Sequence, residues 1–241
     1  MKIGVIGCNG FIGRNLLGQH KWIPITREDV NLLDKKSVEK YFDRYFFSVI
    51  IHCAVTGGSR LHEDTSDVLR DNILMFENVA NVFRGKLIYF SSGAALRGNP
   101  PSDPYGLSKW IIDKRILQLE NVYSLRIWGC YGPGELSTRF SAICKDKGHV
   151  VIDKDRYFDF VDVNDVMKVV YEYTIGYRTA KVCNLVYKER LKLSDWAKKF
   201  GATYDIVDKT ELGESYACKY DLRSDLTFFD KTFNLTEKKR D

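Results

Sequence analysis

The chain has 241 residues, 44% of them hydrophobic and 29% charged, with a formal net charge of +5 from 37 basic and 32 acidic residues. These values suit one globular domain, or one domain with a small appendage, and supply enough apolar residues for a core. They exclude two classes: no apolar stretch nears the roughly 20 residues of a bilayer-spanning helix, and the interspersed charges form no basic stripe of the kind a nucleic-acid binder needs.

The longest basic run, Lys238–Lys239–Arg240, reads as a solvated tail. The six cysteines stand at 8, 53, 130, 144, 183 and 218. None forms C-x-x-C, and no Cys/His cluster has zinc spacing, so no metal site is expected. Several sit in apolar runs, where Cys acts as a small hydrophobe. A reducing, cytoplasmic setting is expected. Because a strand pattern begins at Lys2, no signal peptide is expected.

In chain order, Lys2–Ile6 (KIGVI) predicts a buried strand, followed by a Gly-rich turn and a helix from about Phe11. Trp22–Thr26 predicts a second strand, and Ser37–Phe42 a helix. Ser48–Cys53 (SVIIHC) predicts a third strand, continuously apolar as parallel strands covered on both faces are. From Asp67 to Phe83, apolar residues at 68, 69, 73, 76, 79, 80 and 83 give a helical period. Lys86–Ser91 is a fourth strand. Asp103 and Pro104 look like an N-cap and first-turn proline. Tyr123–Trp128 is a fifth strand. The alternation implies an α/β fold, a Rossmann-type doubly wound parallel sheet. Beyond Pro133 the pattern loosens into a helix near Thr138–Lys147, a strand at Val150–Ile152, a helix from Asn164 and a strand at Lys181–Tyr187. The last stretch shows one short helix near Trp196. The expected division is a dinucleotide-binding domain over 1–134, rejoined by 159–187, and a small C-terminal substrate lobe from 135–158 and 188–241.

Three places carry chemistry. In GCNGFIG, Gly7, Gly10 and Gly13 follow a strand and open a helix, where small residues let a pyrophosphate approach backbone N–H groups and the positive dipole end. After the second strand comes Thr26–Arg27, ahead of Glu28 and Asp29. Arg27 suits the extra phosphate of NADP, whereas Glu28 would serve a ribose hydroxyl of NAD. Ser91 and Ser92 end the fourth strand, and thirteen residues past Ser92 comes Tyr105, with Lys109 one turn on. A neighbouring ammonium favours the phenolate and lowers a Tyr pKa. A second Tyr-x-x-x-Lys, Tyr177/Lys181, has no Ser or strand end beside it and reads as surface.

Taken together, GCNGFIG (7–13), NLLD (31–34), HCA (52–54), SSGA (91–94), YGLSK (105–109), RIWGCYGPGE (126–135) and FDFVDVNDV (158–166) resemble the extended short-chain dehydrogenase/reductase family of sugar-nucleotide epimerases, dehydratases and reductases. The stretch 26–42, with VTGG at 55–58, is most similar to GDP-fucose synthases, which use NADPH. The resemblance implies NADP, with NAD as the alternative, on Gly7, Gly10, Phe11, Ile12 and Gly13, with Arg27, an adenine contact at Leu33 and Asp34, and Ala54 on the cofactor side. It implies Ser92, Tyr105 and Lys109 as the catalytic set, with Ser91 as the other Ser, and Arg139 and Arg156 toward the diphosphate of a nucleotide-sugar substrate. A homodimer is left open.

The departures narrow the chemistry. Gly93, Ala94 and Ala95 stand where dehydratases of the family carry an Asp-Glu pair. Ala94 stands near the Cys of GDP-fucose synthases, Phe158 replaces a substrate Arg, and Gly129–Cys130 replaces the usual Asn. Reduction of a 4-keto group, or epimerisation at C4, survives these losses. The competing expectation is a catalytically silent NAD(P)-binding sensor or scaffold, against which the intact Tyr105/Lys109 pair argues.

Overall fold

The computed structural model describes residues 1–59 and 62–223, so the basic run at 238–240 lies outside the described residues. In order the elements are β1 (Ile3–Ile6), α1 (Phe11–Gln19), β2 (Ile23–Ile25), α2 (Lys35–Arg44), β3 (Val49–His52), α3 (Ser66–Val82), β4 (Lys86–Ser92), a 3₁₀ turn at Gly93–Leu96, α4 (Pro104–Ile116) and β5 (Val122–Ile127). There follow β6 (Gly129–Tyr131), α5 (Phe140–Lys147), β7 (His149–Lys154), β8 (Phe160–Asp162), α6 (Val163–Thr174), β9 (Val182–Asn184), α7 (Leu193–Lys199), β10 (Thr203–Asp208) and a second 3₁₀ turn at Tyr220–Leu222.

Six strands form the central sheet in the order β2-β1-β3-β4-β5-β9. Pairings from β2 through β5 are parallel, so the doubly wound α/β expectation holds. The order reverses between β1 and β3, which places the loop after β1 at the sheet's topological switch point, where such sheets open a ligand crevice. The segment from Thr26 to Asp34 forms turns and no strand.

The sheet buries both faces. Ile6, Ile25, Ile50, Leu87 and Tyr89 join Val38, Phe76, Val79, Ile112 and Ile116 of α2, α3 and α4 in one cluster. Alternation sends Val5, Ile51 and Ile88 to the opposite side, and all three are buried there. Helix α1 packs with α6, and α3 with both α2 and α4.

The chain divides into two compact units, residues 1–127 with 163–183, and residues 128–162 with 184–241. The second unit carries two small parallel ribbons, β6 with β8 and β10 with β7. β6, β8 and β10 do not stand out in the sequence. Thr203–Asp208 pairs with a strand that begins at His149, and half of its residues stay exposed, so its own pattern carries little apolar signal. Trp196, Phe160, Phe200 and Tyr131 form this unit's aromatic core, with ring centroids 4.9–6.2 Å apart.

All six cysteines are free thiols. Among the described residues no helix is long and apolar enough to cross a membrane, and no group of three His, Cys, Asp or Glu could hold a metal ion.

Candidate active site

The three glycines after β1 have different reasons to be glycine. Gly7 has φ +76°, and a Cβ there would stand 2.4 Å from the backbone nitrogen of Ala54, so the turn is pressed against the end of β3. A Cβ on Gly13 would stand 2.4 Å from the Gly7 carbonyl oxygen. Packing within the chain forbids a side chain at both. Gly10 is exposed, and its nearest neighbour would be the Gly7 oxygen at 3.4 Å, an ordinary contact. The described chain gives no reason for a glycine at Gly10. Gly10 is the N-cap of α1, where no side chain caps the helix and no acidic residue occupies the first turn. The helix start therefore keeps its positive end and room above it, as an anion requires.

β2 ends at Ile25, one residue before the expected Thr26, and Arg27 and Glu28 lie in the turn that follows. Asp29 accepts from the Thr26 backbone nitrogen at 2.7 Å and from its hydroxyl at 2.8 Å, which holds its carboxyl below the usual range. Arg27 and Glu28 remain exposed. Asp34 is the N-cap of α2 and accepts from Lys36 N at 3.0 Å, a folding role of roughly 1 kcal/mol that needs no ligand. Leu33 is 44% exposed, and Asn78 of α3 holds this stretch through the Leu32 carbonyl at 2.8 Å.

Asp103 caps α4 as its sequence implies, accepting from Gly106 N at 2.7 Å, with Pro104 in the first turn. One turn apart, Tyr105 is half-buried and Lys109 is only 2% exposed. The Lys109 ammonium lies 5.6 Å from the Tyr105 ring centroid. It donates to the Tyr89 hydroxyl at 2.6 Å and to the Phe90 carbonyl at 3.0 Å. Both acceptors are neutral. The nearby carboxylate of Asp113 is engaged by Arg126 at 2.7 Å and Ser124 at 2.6 Å. Burial draws the Lys109 pKa down to about 7, against the opposing pull of Asp113 and Cys53. His52, in the same neighbourhood, is pushed down to about 4 by burial and then by the Lys109 charge.

The VTGG segment lies over Tyr105. Gly58 has φ +72°, and a Cβ there would stand 2.8 Å from the phenol ring. Asn72 of α3 holds this segment: Thr56 N donates to Asn72 Oδ1 at 3.0 Å, and Asn72 Nδ2 donates to the Thr56 carbonyl at 3.0 Å and to Ser108 Oγ at 3.2 Å. Ser108 in turn donates to the Tyr105 carbonyl at 2.7 Å. Sequence reasoning missed Asn72, Ser108 and Tyr89. One signal was present, since position 72 lies midway between Val68 and Phe76 in the apolar stripe of α3.

The two serines diverge. Along β4, Ser91 alternates with Tyr89 and Leu87, on the face covered by α2, α3 and α4, while Ser92 alternates with Phe90 and Ile88. Ser92 Oγ accepts from Ala94 N at 3.1 Å and caps the 3₁₀ turn. A Cβ on Gly106 would stand 2.9 Å from the Ala94 carbonyl, so this turn meets the first turn of α4. Among the described residues, Ser91 Oγ is buried and has no hydrogen-bond partner. Ser91 and Ser92 thus end β4 on opposite faces, and Lys109 reaches the same strand through the Tyr89 hydroxyl and the Phe90 carbonyl. The other Tyr/Lys pair stands elsewhere: Tyr177 is 76% exposed, and Lys181 donates to the carbonyls of Leu119 and Val122, at the start of β5.

In the second unit, Arg139 precedes α5 and donates to the Cys130 carbonyl at 3.0 Å. Arg156 lies against Gly213, with its guanidinium 3.1–3.2 Å from where a Cβ would stand. Phe158, which replaces the family's Arg, is a buried core ring stacked 4.5 Å from Phe160.

Residues 3–174 match the sequence model of the NAD dependent epimerase/dehydratase family. No curated protein matches the chain. Among solved structures it is similar to a dTDP-4-dehydrorhamnose reductase from Clostridium acetobutylicum, at TM-score 0.74 and 20% identity over 86% of this chain and 83% of that one. It is also similar to a GDP-L-fucose synthetase from Naegleria fowleri bound to NADP, at TM-score 0.71 and 16% identity over 96% and 89%. A third is the Bordetella bronchiseptica enzyme WbmG in complex with NAD and UDP, at TM-score 0.69 and 18% identity over 87% and 81%. At such identities the likeness establishes a shared fold.

Proposed function

Because the chain belongs to the NAD dependent epimerase/dehydratase family, we propose that it is an NAD(P)-dependent oxidoreductase acting on a nucleotide-linked sugar, by 4-keto reduction or C4 epimerisation. The observation that carries this reading is Lys109: a fully buried ammonium on neutral acceptors, 5.6 Å from the Tyr105 ring. Burying a charge without a carboxylate of its own is costly, and such perturbed groups recur where proton chemistry is done.

The residues fit a dinucleotide. The exposed Gly10 and the uncapped start of α1 suit a pyrophosphate on the 7–13 loop, where Gly7, Gly10, Phe11, Ile12 and Gly13 would hold it. Leu33 and Asp34 would lie toward the adenine, Ala54 lies against the glycine turn, and exposed Arg27 would suit the additional phosphate of NADP. Neighbours crystallised with NADP or NADPH support NADP, and one with NAD keeps NAD as the alternative.

A reduced nicotinamide, when bound, supplies hydride to the keto carbon. Tyr105 gives its proton to the developing alkoxide, and Ser92 donates a hydrogen bond to the same oxygen. Lys109 favours the phenolate left on Tyr105. General acid catalysis of this kind contributes about 10²–10⁴-fold, and a positioned donor about 3 kcal/mol. Gly93, Ala94 and Ala95 offer no acid or base for elimination of water. Arg139 and Arg156 serve the substrate diphosphate, and the second unit acts as the substrate lobe.

The test is a nicotinamide-absorbance screen of GDP-, dTDP-, UDP- and CDP-linked 4-keto-6-deoxy sugars with NADPH and NADH in parallel. Turnover with one of them, lost in Tyr105→Phe, is expected. Tight cofactor binding without turnover of any sugar would replace this reading with the silent sensor or scaffold.

A further inference from the structure

Gly57 and Gly58 follow one another in the segment after β3, and their backbones are alike, with φ +74° and +72°. Both angles fall in the left-handed region, where an L side chain is strained. Their surroundings differ. A Cβ on Gly57 would stand 2.4 Å from Cγ1 of Val68, a buried residue of α3, and 2.5 Å from Asp64 Oδ1. A Cβ on Gly58 would stand 2.8 Å from both Cε2 and Cζ of Tyr105 and 3.0 Å from its Cε1, so the three nearest atoms all belong to that ring. Cζ carries the hydroxyl. The Gly58 backbone therefore lies against the end of the phenol that exchanges the proton.

We propose that Gly58 is a positioning residue for Tyr105: its bare backbone is a wall that sets where the phenol hydroxyl points, and a side chain there displaces the hydroxyl without unfolding the chain. The proposal rests on the reading of Tyr105 as proton donor given above.

The wall is held from behind. Gly58 N donates to Oδ1 of the half-buried Asp64 at 2.8 Å. Two residues earlier, Asn72 fixes both backbone groups of Thr56. The same Asn72 reaches the Tyr105 carbonyl through Ser108, so the segment and the first turn of α4 are braced by one side chain. The yielding partner is then the ring. Val68 is β-branched and buried, hence stiff in its helix, whereas the Tyr105 ring is the far end of a half-buried side chain. Carbon atoms pack at about 3.5–4.0 Å, so a methyl group at Gly58 drives the ring back by roughly 1 Å. A misplacement of about 1 Å at a reacting group can cost about 10²-fold in rate. At Gly57 the same methyl group costs packing against α3 instead.

The test compares Gly58→Ala with Gly58→Asn in the full chain. Asn accepts left-handed backbone more readily than Ala, but both carry a Cβ. Stability should therefore separate the two variants, and the placement of Tyr105 should not. Without substrate, NMR spectra are recorded on protein with 13C-labelled tyrosine rings, and the Tyr105 signal is identified by its loss in Tyr105→Phe. In both Gly58 variants the Tyr105 signal is expected to move and that of Tyr173, on α6, to stay, while Gly58→Asn melts above Gly58→Ala. With NADPH and the sugar nucleotide that turns over, kcat is expected to fall at least about tenfold in both, with KM within about threefold of the wild type. An unmoved Tyr105 signal, loss of the native fold in both variants, turnover that follows melting temperature rather than the presence of a Cβ, or a moved signal with undiminished kcat would overturn the proposal. If the signal moves as stated but the wild type turns over no sugar nucleotide, the functional reading fails while Gly58 remains the residue that places the Tyr105 ring.

Discussion

Asn72 grips Thr56 from both sides, its side-chain oxygen accepting from the Thr56 nitrogen and its amide nitrogen donating to the Thr56 carbonyl, each at 3.0 Å. A single side chain thus reproduces a strand-like pair of bonds and ties α3 to the loop that lies over Tyr105. Asn72→Ala would strip two backbone groups and Ser108 of partners at about 1–3 kcal/mol per group left buried and unsatisfied. We expect a drop in urea-unfolding free energy of that order, with kcat reduced about tenfold, since loss of positioning of this size is readily felt at a reacting group. Unchanged stability would show that the grip on Thr56 is dispensable.

The glycine loop separates folding from binding. A methyl group at Gly13 meets backbone at 2.4 Å, whereas at Gly10 it meets nothing closer than 3.4 Å. Gly13→Ala should therefore lower the melting temperature markedly. Gly10→Ala should leave it within about 2 °C, a change of under 1 kcal/mol for a chain of this size, but weaken NADPH binding at least tenfold in a fluorescence titration. Equal binding by Gly10→Ala and wild type would remove the pyrophosphate from this turn.

Lys109 makes stability depend on pH in a definite direction. Its folded pKa of about 7 lies below the ordinary lysine value of 10.5. Between the two, the unfolded chain holds a proton the native state has lost, so wild-type stability rises with pH in that window and the gain is absent below about 7. Lys109→Met lacks this contribution. Urea unfolding at pH 6 and pH 9 should show the wild type gaining roughly 2–3 kcal/mol on the variant as pH rises. A pH-independent difference would mean that Lys109 titrates normally.

Ser91 and Ser92 can be told apart by kinetics. Ser92 caps the 3₁₀ turn that meets α4, whereas Ser91 holds a buried hydroxyl on the Tyr89 face with no partner among the described residues. Ser92→Ala is expected to reduce kcat about 10²-fold with KM little changed, the signature of a donor acting on the developing oxyanion. Ser91→Ala should retain turnover within about threefold, a loss under 1 kcal/mol. The reverse result would assign the donor role to the orphan hydroxyl.

Local signals in the sequence carried a good part of this protein. The apolar run before Gly7, the glycine spacing and the Asp103–Pro104 start of α4 are each decided within a few residues, by backbone sterics and capping. The alternation of runs was enough for a doubly wound α/β sheet. It was not enough for the pairing of Thr203–Asp208 with the strand from His149, because a half-exposed strand takes its identity from a distant partner.

The same division holds at the candidate site. The sequence placed Tyr105 and Lys109 one turn apart, and it separated them from Tyr177 and Lys181. Tertiary structure alone decided that the Lys109 ammonium bonds Tyr89, that Asn72 grips Thr56, and that Ser91 and Ser92 face opposite sides of β4. Those relations join positions 16 to 20 residues apart, or depend on which face of a strand a helix covers. Hydrogen bonds and burial between such positions leave no periodic trace in the chain, and they fix the charge state of Lys109, which its residue type alone leaves open.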